Sequence, residues 1–163
     1  MLKVSVIGYR KVLGTSITIP IEMLNAADLI NRIEGGKQDR LALQLVSMDG
    51  GNIQLNAGLE LVSKLSLADI EDTDMVILPA LWGNPLGVVR QYPALNEWLR
   101  IQQEKDTSLC AAGTGSYFLA EAGLLNNKVA TTHWYYFDQF SRTYPEVLLQ
   151  RDRFITKAGN IYC

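Results

Sequence analysis

Apolar and polar side chains alternate from the start of the chain. Val4, Val6 and Gly8 share one side of an extended segment over residues 2–9, the first predicted strand. A linker over 10–18 leads to Pro20, which suits the first turn of a helix because its missing N–H has no partner there. Ile21, Leu24, Ala27, Ile30 and Ile33 then recur on one helical face, and Gly35-Gly36 ends the helix. Leu41, Leu43 and Leu45 alternate as a second strand. Asp49-Gly50-Gly51 turns into a short strand at 53–55, residues 59–65 add another, and Ser66 to Asp69 has capping-box spacing. The run 75–78, Met-Val-Ile-Leu, is continuously apolar, as a strand buried on both faces of a parallel sheet is. After the loop 79–85, residues 93–105 predict a helix with Leu95, Trp98 and Leu99 inward. Further on, 128–131 reads as a strand and 133–144 as an aromatic-rich helix stopped by Pro145. Segments 148–151 and 154–156 flank a turn, and 161–163 begin a last strand. Strands alternating with helices predict an α/β domain with a mainly parallel sheet, in which ligands bind beyond the carboxyl ends of the strands. The loops after Gly8, after Pro79 and at Gly113 are therefore expected to meet around one site.

Composition narrows the class. At 163 residues, 48% hydrophobic and 20% charged, the chain is an ordinary globular domain spanning residues 1–163, without repeats or low-complexity tracts. No stretch approaches the roughly 20 apolar residues of a membrane span, and no signal-peptide pattern opens the chain. Two cysteines, Cys110 and Cys163, make no disulfide framework, so a reducing cytoplasm is expected. A net charge of −2 weighs against these residues gripping nucleic acid. The sequence stops inside a strand-like run, which predicts a fragment of a longer protein.

The stretch 106–123, DTSLCAAGTGSYFLAEAG, holds the most chemical information. A buried strand at 109–112, a turn at Gly113-Thr114-Gly115 and a helix over 116–122 make the geometry of a nucleophile elbow. Glycine is needed where the turn forbids a Cβ or where helix and strand pack closely. Such a helix start aims free N–H groups at whatever lies above it. Yet the apex offers Gly113 or Thr114 in place of Ser or Cys, and the nearest thiol, Cys110, sits back in the strand. As a nucleotide loop the turn lacks the third glycine of a dinucleotide fingerprint and the Lys of a P-loop. A turn that merely connects its elements is the plain alternative.

Other candidates are weighed against bland readings. Cys110 lies among Leu109, Ala111 and Ala112 with no basic neighbour in sequence, which favours packing over reactivity. His133 is the single histidine, so any His-dependent chemistry must use it and a multi-His metal site is excluded. It stands at a strand-to-helix transition, facing a site or bonding a backbone carbonyl. Trp82 and Gly83 follow a buried strand, offering a flat apolar wall and an unhindered N–H, or else forming a surface turn. Asp69, Glu71, Asp72 and Asp74 crowd one loop without a cation-loop pattern and read as solvated surface.

The runs Gly115-Ser-Tyr-Phe-Leu-Ala-Glu-Ala-Gly-Leu-Leu125 and Ala130-Thr-Thr-His-Trp134, with Phe137 and Tyr144-Pro145, resemble the amidotransferase-like sensor domain of AraC-type transcription regulators. That domain belongs to the class I glutamine amidotransferase-like superfamily, with the intracellular protease and isocyanide hydratase groups. The resemblance implies a flavodoxin-like, three-layer α/β sandwich. Enzymatic relatives place the nucleophilic cysteine where this chain has Gly113, and often an acidic residue where it has Ser16. Cys110 is three residues too early to substitute. The resemblance therefore implies no catalysis and a vestigial active site kept as a ligand pocket. Gly113, Thr114 and Gly115 would supply N–H donors, with Trp82, Gly83, His133 and Ser16 around them. It further implies no cofactor, no metal and no membrane, a small amine or amino-acid-like effector, a homodimer, and DNA contacts only through a C-terminal helix-turn-helix segment outside this chain. The rivals are a cysteine-dependent hydrolase or hydratase using Cys110, and a dimerisation module with a filled elbow cavity.

Overall fold

The computed structural model describes residues 1–35 and 40–163. In chain order the elements are β1 (Leu2–Ile7), α1 (Gly14–Ile33), β2 (Leu41–Ser47), β3 (Ile53–Gln54), β4 (Glu60–Leu61), β5 (Leu65–Ser66) and β6 (Met75–Leu78). There follow α2 (Leu86–Val89), α3 (Pro93–Glu104), β7 (Ser108–Ala111), α4 (Ser116–Glu121), β8 (Val129–Ala130), α5 (Phe137–Thr143), β9 (Leu148–Leu149), β10 (Lys157–Ala158) and β11 (Ile161–Tyr162). Seven strands form the main sheet in the order β10-β11-β7-β6-β1-β2-β5, parallel except for β10 against β11. Chain order reverses across β1, which has β2 on one side and β6 on the other. The crevice beyond that reversal is where an open α/β sheet binds ligands.

The continuous apolar run of β6 is buried as expected: Val76 and Leu78 are fully covered. Met75 and Ile77 alternate to the face shared with α1, where they and Cys110 floor a groove about 580 Å³ in volume. Val76 and Leu78 point to the opposite face, against the layer in which α4 packs with α2 and α3. The sandwich is thus three layers with one contiguous core.

Helix α1 departs from expectation twice. It starts at Gly14, so Pro20 lies inside it and not in its first turn. Pro20 lacks the N–H that would reach the Ser16 carbonyl, but tertiary bonds fix the helix start instead. Leu13 N donates to the Ala80 carbonyl at 2.8 Å, and Ala80 N donates to Ser16 Oγ at 2.8 Å. The expected apolar face is also mostly outside. Ile21 and Leu24 are half-buried, whereas Ala27, Ile30 and Ile33 are exposed. Ile17 and Asp28 are buried in their stead; the Asp28 carboxylate accepts from Leu41 N and pairs with Arg32. The helix stops at Glu34 and Gly35, the latter at φ +68°, while the expected second stop residue, Gly36, lies outside the described residues.

Smaller differences have local causes. Ser66 and Asp69 make the capping box, Ser66 N donating to the carboxylate at 2.7 Å, but it closes only one tight turn. The aromatic helix over 133–144 is broken. His133 caps a single 3-10 turn over Trp134–Tyr136, and α5 begins only at Phe137. Of residues 154–156, Phe154 is wholly exposed and Ile155 is exposed, while Thr156 exchanges backbone hydrogen bonds with Cys163 at 2.8 and 3.1 Å, next to the β10–β11 pairing.

Candidate functional site

Three loops converge beyond the carboxyl ends of β1, β6 and β7. The loops after β1 and β6 zip together through Trp82 N donating to the Lys11 carbonyl at 2.7 Å and a bridge between Val12 and Leu81. Tyr9, buried in the first loop, donates its hydroxyl to the Pro79 carbonyl, and burial raises its pKa well above the usual tyrosine range. The third loop joins through Thr114, whose buried Oγ1 accepts from Leu81 N at 2.7 Å.

The strand, turn and helix after β7 form the expected elbow. Gly113 sits at φ +49°, the left-handed conformation that a side chain strains, and opens a tight turn running to Gly115. Two hydroxyls hold its carbonyl: Ser116 donates at 2.9 Å and Thr132 at 3.3 Å. Of the turn amides, Gly115 donates to the Ala112 carbonyl at 2.9 Å; among the described residues no acceptor is found for the Gly113 and Thr114 amides. Such amides at a helix start suit an anionic group.

His133 belongs to this apex. A Cβ at Gly113 would lie 3.9 Å from the His133 Cβ and 3.8 Å from the Ala80 Cβ, ordinary contact with room for a side chain. His133 Nδ1 accepts from Tyr135 N at 3.3 Å, an assignment that leaves the proton on Nε2. Its ring stacks on Trp134 at 5.4 Å. The apex therefore carries a glycine with the single histidine beside it. An imidazole beside a glycine has no thiol to deprotonate.

The other candidates spread around this centre. Gly83, at φ +70°, accepts from the Tyr136 hydroxyl at 2.7 Å through its carbonyl, tying the Trp82 loop to the His133 turn. Trp82 itself is half exposed. Ser16 is committed to Ala80 N and opens on the α1 groove. A separate cleft of about 340 Å³ lies against His133, lined also by Trp134, Phe137, Arg151, Arg153 and Phe154. Arg151 pairs with Asp138 at 2.8 Å and lies over the Phe137 ring, while Arg153 has no ion pair among the described residues. Gly113, Thr114, Gly115, Trp82, Gly83 and Ser16 do not line this cleft; Thr132, through its bond to the Gly113 carbonyl, and His133 border both it and the apex. The two arginines escaped the sequence reading. The signal available was a pair of basic residues bracketing Asp152 in the turn after a short strand.

Cys110 faces elsewhere. It floors the α1 groove, and burial raises its thiol pKa. Cys163 nearby is pushed up to about 12, mainly by burial. A thiolate reagent is therefore expected to label Cys110 slowly near neutral pH, accelerating only above the range where a free cysteine responds. Rapid labelling at neutral pH would contradict this. Among the described residues no three His, Cys, Asp or Glu gather as a metal site, and no helix is long and apolar enough to cross a membrane.

A three-layer α/β sandwich with a glycine-containing turn and three loops meeting at its switch crevice defines the class. The DJ-1/PfpI family model matches residues 3–161, and the chain belongs to that family. It is 35% identical over 121 residues to the HTH-type transcriptional regulator CdhR of Pseudomonas aeruginosa, covering 71% of this chain and 35% of that protein. It is 30% identical over 96 residues to an isonitrile hydratase of Pseudomonas putida, covering 59% of this chain and 41% of the enzyme. The matched segments thus span less than half the length of either relative. Among solved structures, an AraC family transcriptional regulator from Pseudomonas putida superposes with a TM-score of 0.80 at 23% identity, over 99% of this chain and 82% of that one.

Proposed function

We propose that this chain is the non-catalytic, effector-sensing domain of a cytoplasmic AraC-type transcription regulator, and that it works as a homodimer. The observation that carries the reading is the glycine at the elbow apex, 3.9 Å in Cβ terms from the His133 that would otherwise activate a nucleophile. The similarity to CdhR supports it. The effector is a small amine or amino-acid-like metabolite with an anionic group, received by the Gly113 and Thr114 amides and, across His133, by Arg153. Trp82, Gly83 and the His133–Trp134 stack wall the approach, and Ser16 braces the Ala80 loop behind it. DNA is read by a helix-turn-helix segment outside these residues. Effector binding shifts the population of dimer arrangements that present that segment.

The test is thermal stabilisation against a panel of amines, amino acids and carboxylates. A ligand at about 100 times its Kd adds roughly 2.7 kcal/mol, or about 5–11 °C in a domain of this size. Gly113→Asp places a carboxylate over the donors, costs on the order of 1 kcal/mol from its positive φ, and is expected to abolish the shift. A hit unaffected by Gly113→Asp and by Arg153→Ala would move the ligand elsewhere. No hit, together with hydratase or hydrolase turnover lost in Cys110→Ala, would establish the enzyme instead.

A further inference from the structure

A second crevice opens beyond the carboxyl ends of the strands, between the loops after β1 and β2. It encloses about 270 Å³ and shares no lining residue with the elbow turn or the His133 cleft. The hairpin of β3 and β4 closes one side of it, and Gly8 permits that closure, since a Cβ there would run into the Ile53 side chain. Tyr9 is the partition: it lines the crevice, while its hydroxyl is bonded to the Pro79 carbonyl of the elbow loops.

Three donors in this crevice lack a proper acceptor. Ser47 is 3% exposed, yet its hydroxyl finds only the Leu65 carbonyl at 3.5 Å, beyond the roughly 2.5–3.0 Å of an ordinary O–H···O bond. Buried hydroxyls are normally satisfied, so one left slack beside a cavity calls for a partner inside it. The Tyr92 oxygen receives Arg10 N at 3.1 Å, but its phenolic hydrogen has no acceptor among the described residues. The Arg10 guanidinium enters no ion pair among them either. Acceptors stand at the rim. Asp49 spends one carboxylate oxygen on Gly51 N at 2.9 Å and keeps the other. Asn52 and Gln54 both donate their side-chain N–H groups to Glu60, which fixes their rotation and leaves their side-chain carbonyls free.

We propose that this crevice binds a small polyhydroxylated carboxylate, of the sugar-acid class. The carboxylate takes the Arg10 fork and the Ser47 and Tyr92 hydroxyls, and the ligand's own hydroxyls donate to Asp49, Asn52 and Gln54. Charge sets the class. Arg10 is the single cation in the lining, with Asp49 beside it and Glu60 behind the two amides, so one negative charge is balanced and a phosphate dianion is repelled. A fatty acid would bury the rim acceptors without donors, which is costly. The volume lies near the lower end of ligand pockets, about 300 Å³, and suits a small metabolite. The site is additional to the effector site proposed above and does not depend on it.

Titration of the isotope-labelled chain with gluconate, followed through its backbone amides, tests this. The amides of Tyr9, Arg10, Asp49 and Asn52 are expected to shift, and those of Thr114 and His133 to stay; glucose and acetate at the same concentration are expected to move none. Arg10→Ala is expected to weaken gluconate binding about 10-fold or more, the loss of a hydrogen bond to a charged group. Ser47→Ala is expected to weaken it less, and both variants keep the thermal midpoint. Shifts centred on Gly113 and Thr114 would put the carboxylate on the elbow amides and overturn the site. Equal binding of glucose, or tighter binding of glucose 6-phosphate, would overturn the ligand class. No response at about 50 mM gluconate, where a millimolar Kd is saturated, overturns the proposal and leaves the effector reading standing.

Discussion

Gly115→Ala is expected to cost about 3 kcal/mol or more of folding stability, lowering Tm by roughly 6–12 °C in a domain of this size. Gly115 has an ordinary helical φ of −60°, so backbone strain is not the cause. Its hydrogen takes the place of a Cβ that would lie 2.3 Å from the Leu78 carbonyl oxygen and 2.7 Å from that of Pro79. Both obstacles are backbone, at the end of β6, and neither can swing aside like a side-chain tip. Relief requires pulling the start of α4 away from β6. That would drag on the bond from Ala112 N to the Leu78 carbonyl, 2.9 Å, and on the Thr114 clasp at Leu81. The elbow would open as it destabilised. Gly87→Ala is the comparison: it lies in α2 with nothing within 4 Å of its Cβ position, and is expected to gain about 0.5–1 kcal/mol. Urea denaturation of both variants decides the matter. An unchanged midpoint for Gly115→Ala would show that the close approach is not maintained in solution.

The elbow was legible in the sequence because its requirements are local. A close helix–strand approach demands glycine, an apex demands positive φ, and a short buried strand precedes both. The strand β6 was legible for a similar reason, since four apolar residues in a row between polar turns fit a strand covered on both faces. Where reading failed, the deciding contacts were distant. Pro20 looked like a helix start because nothing in its neighbourhood reveals that Ser16 Oγ, four residues earlier, takes a hydrogen bond from Ala80. The apolar face of α1 was identified as a face, yet no periodicity states what it faces. The stripe at Ala27, Ile30 and Ile33 turns out to look away from the sheet. Arg151 and Arg153 share a cleft with His133, and the parallel pairing of β8 with β9, Ala130 beside Leu149, brings their segments together. Two dipeptide strands carry too few residues for alternation to announce that pairing.

Phe118→Ala is expected to be the more damaging core change, about 3–5 kcal/mol, a large share of the stability of an ordinary domain. Phe118 is fully buried on α4, and its ring packs at 4.6 Å from Tyr9 and 6.3 Å from Tyr92. These three rings join the elbow helix to the loop after β1 and to the start of α3. Truncation leaves a cavity bordered by two tyrosines that cannot fill it without giving up their bonds: Tyr9 to the Pro79 carbonyl, and Tyr92, whose hydroxyl accepts from Arg10 N at 3.1 Å. Phe118→Leu keeps most of the volume and is expected to cost less than about 1.5 kcal/mol. The consequence for the site distinguishes this residue from a core residue elsewhere. Tyr9 holds the carbonyl of Pro79, next to the Ala80 that Ser16 braces and close to the Leu81 that Thr114 clasps, so slack at Tyr9 reaches all three loops. Phe118→Ala should therefore weaken binding of the effector proposed above even well below its melting temperature, whereas Phe140→Ala, also fully buried but on α5, should lose comparable stability with a smaller effect on affinity. Titration of both variants at low temperature tests the coupling: equal affinities would show that the aromatic cluster supports the fold without setting the geometry of the elbow.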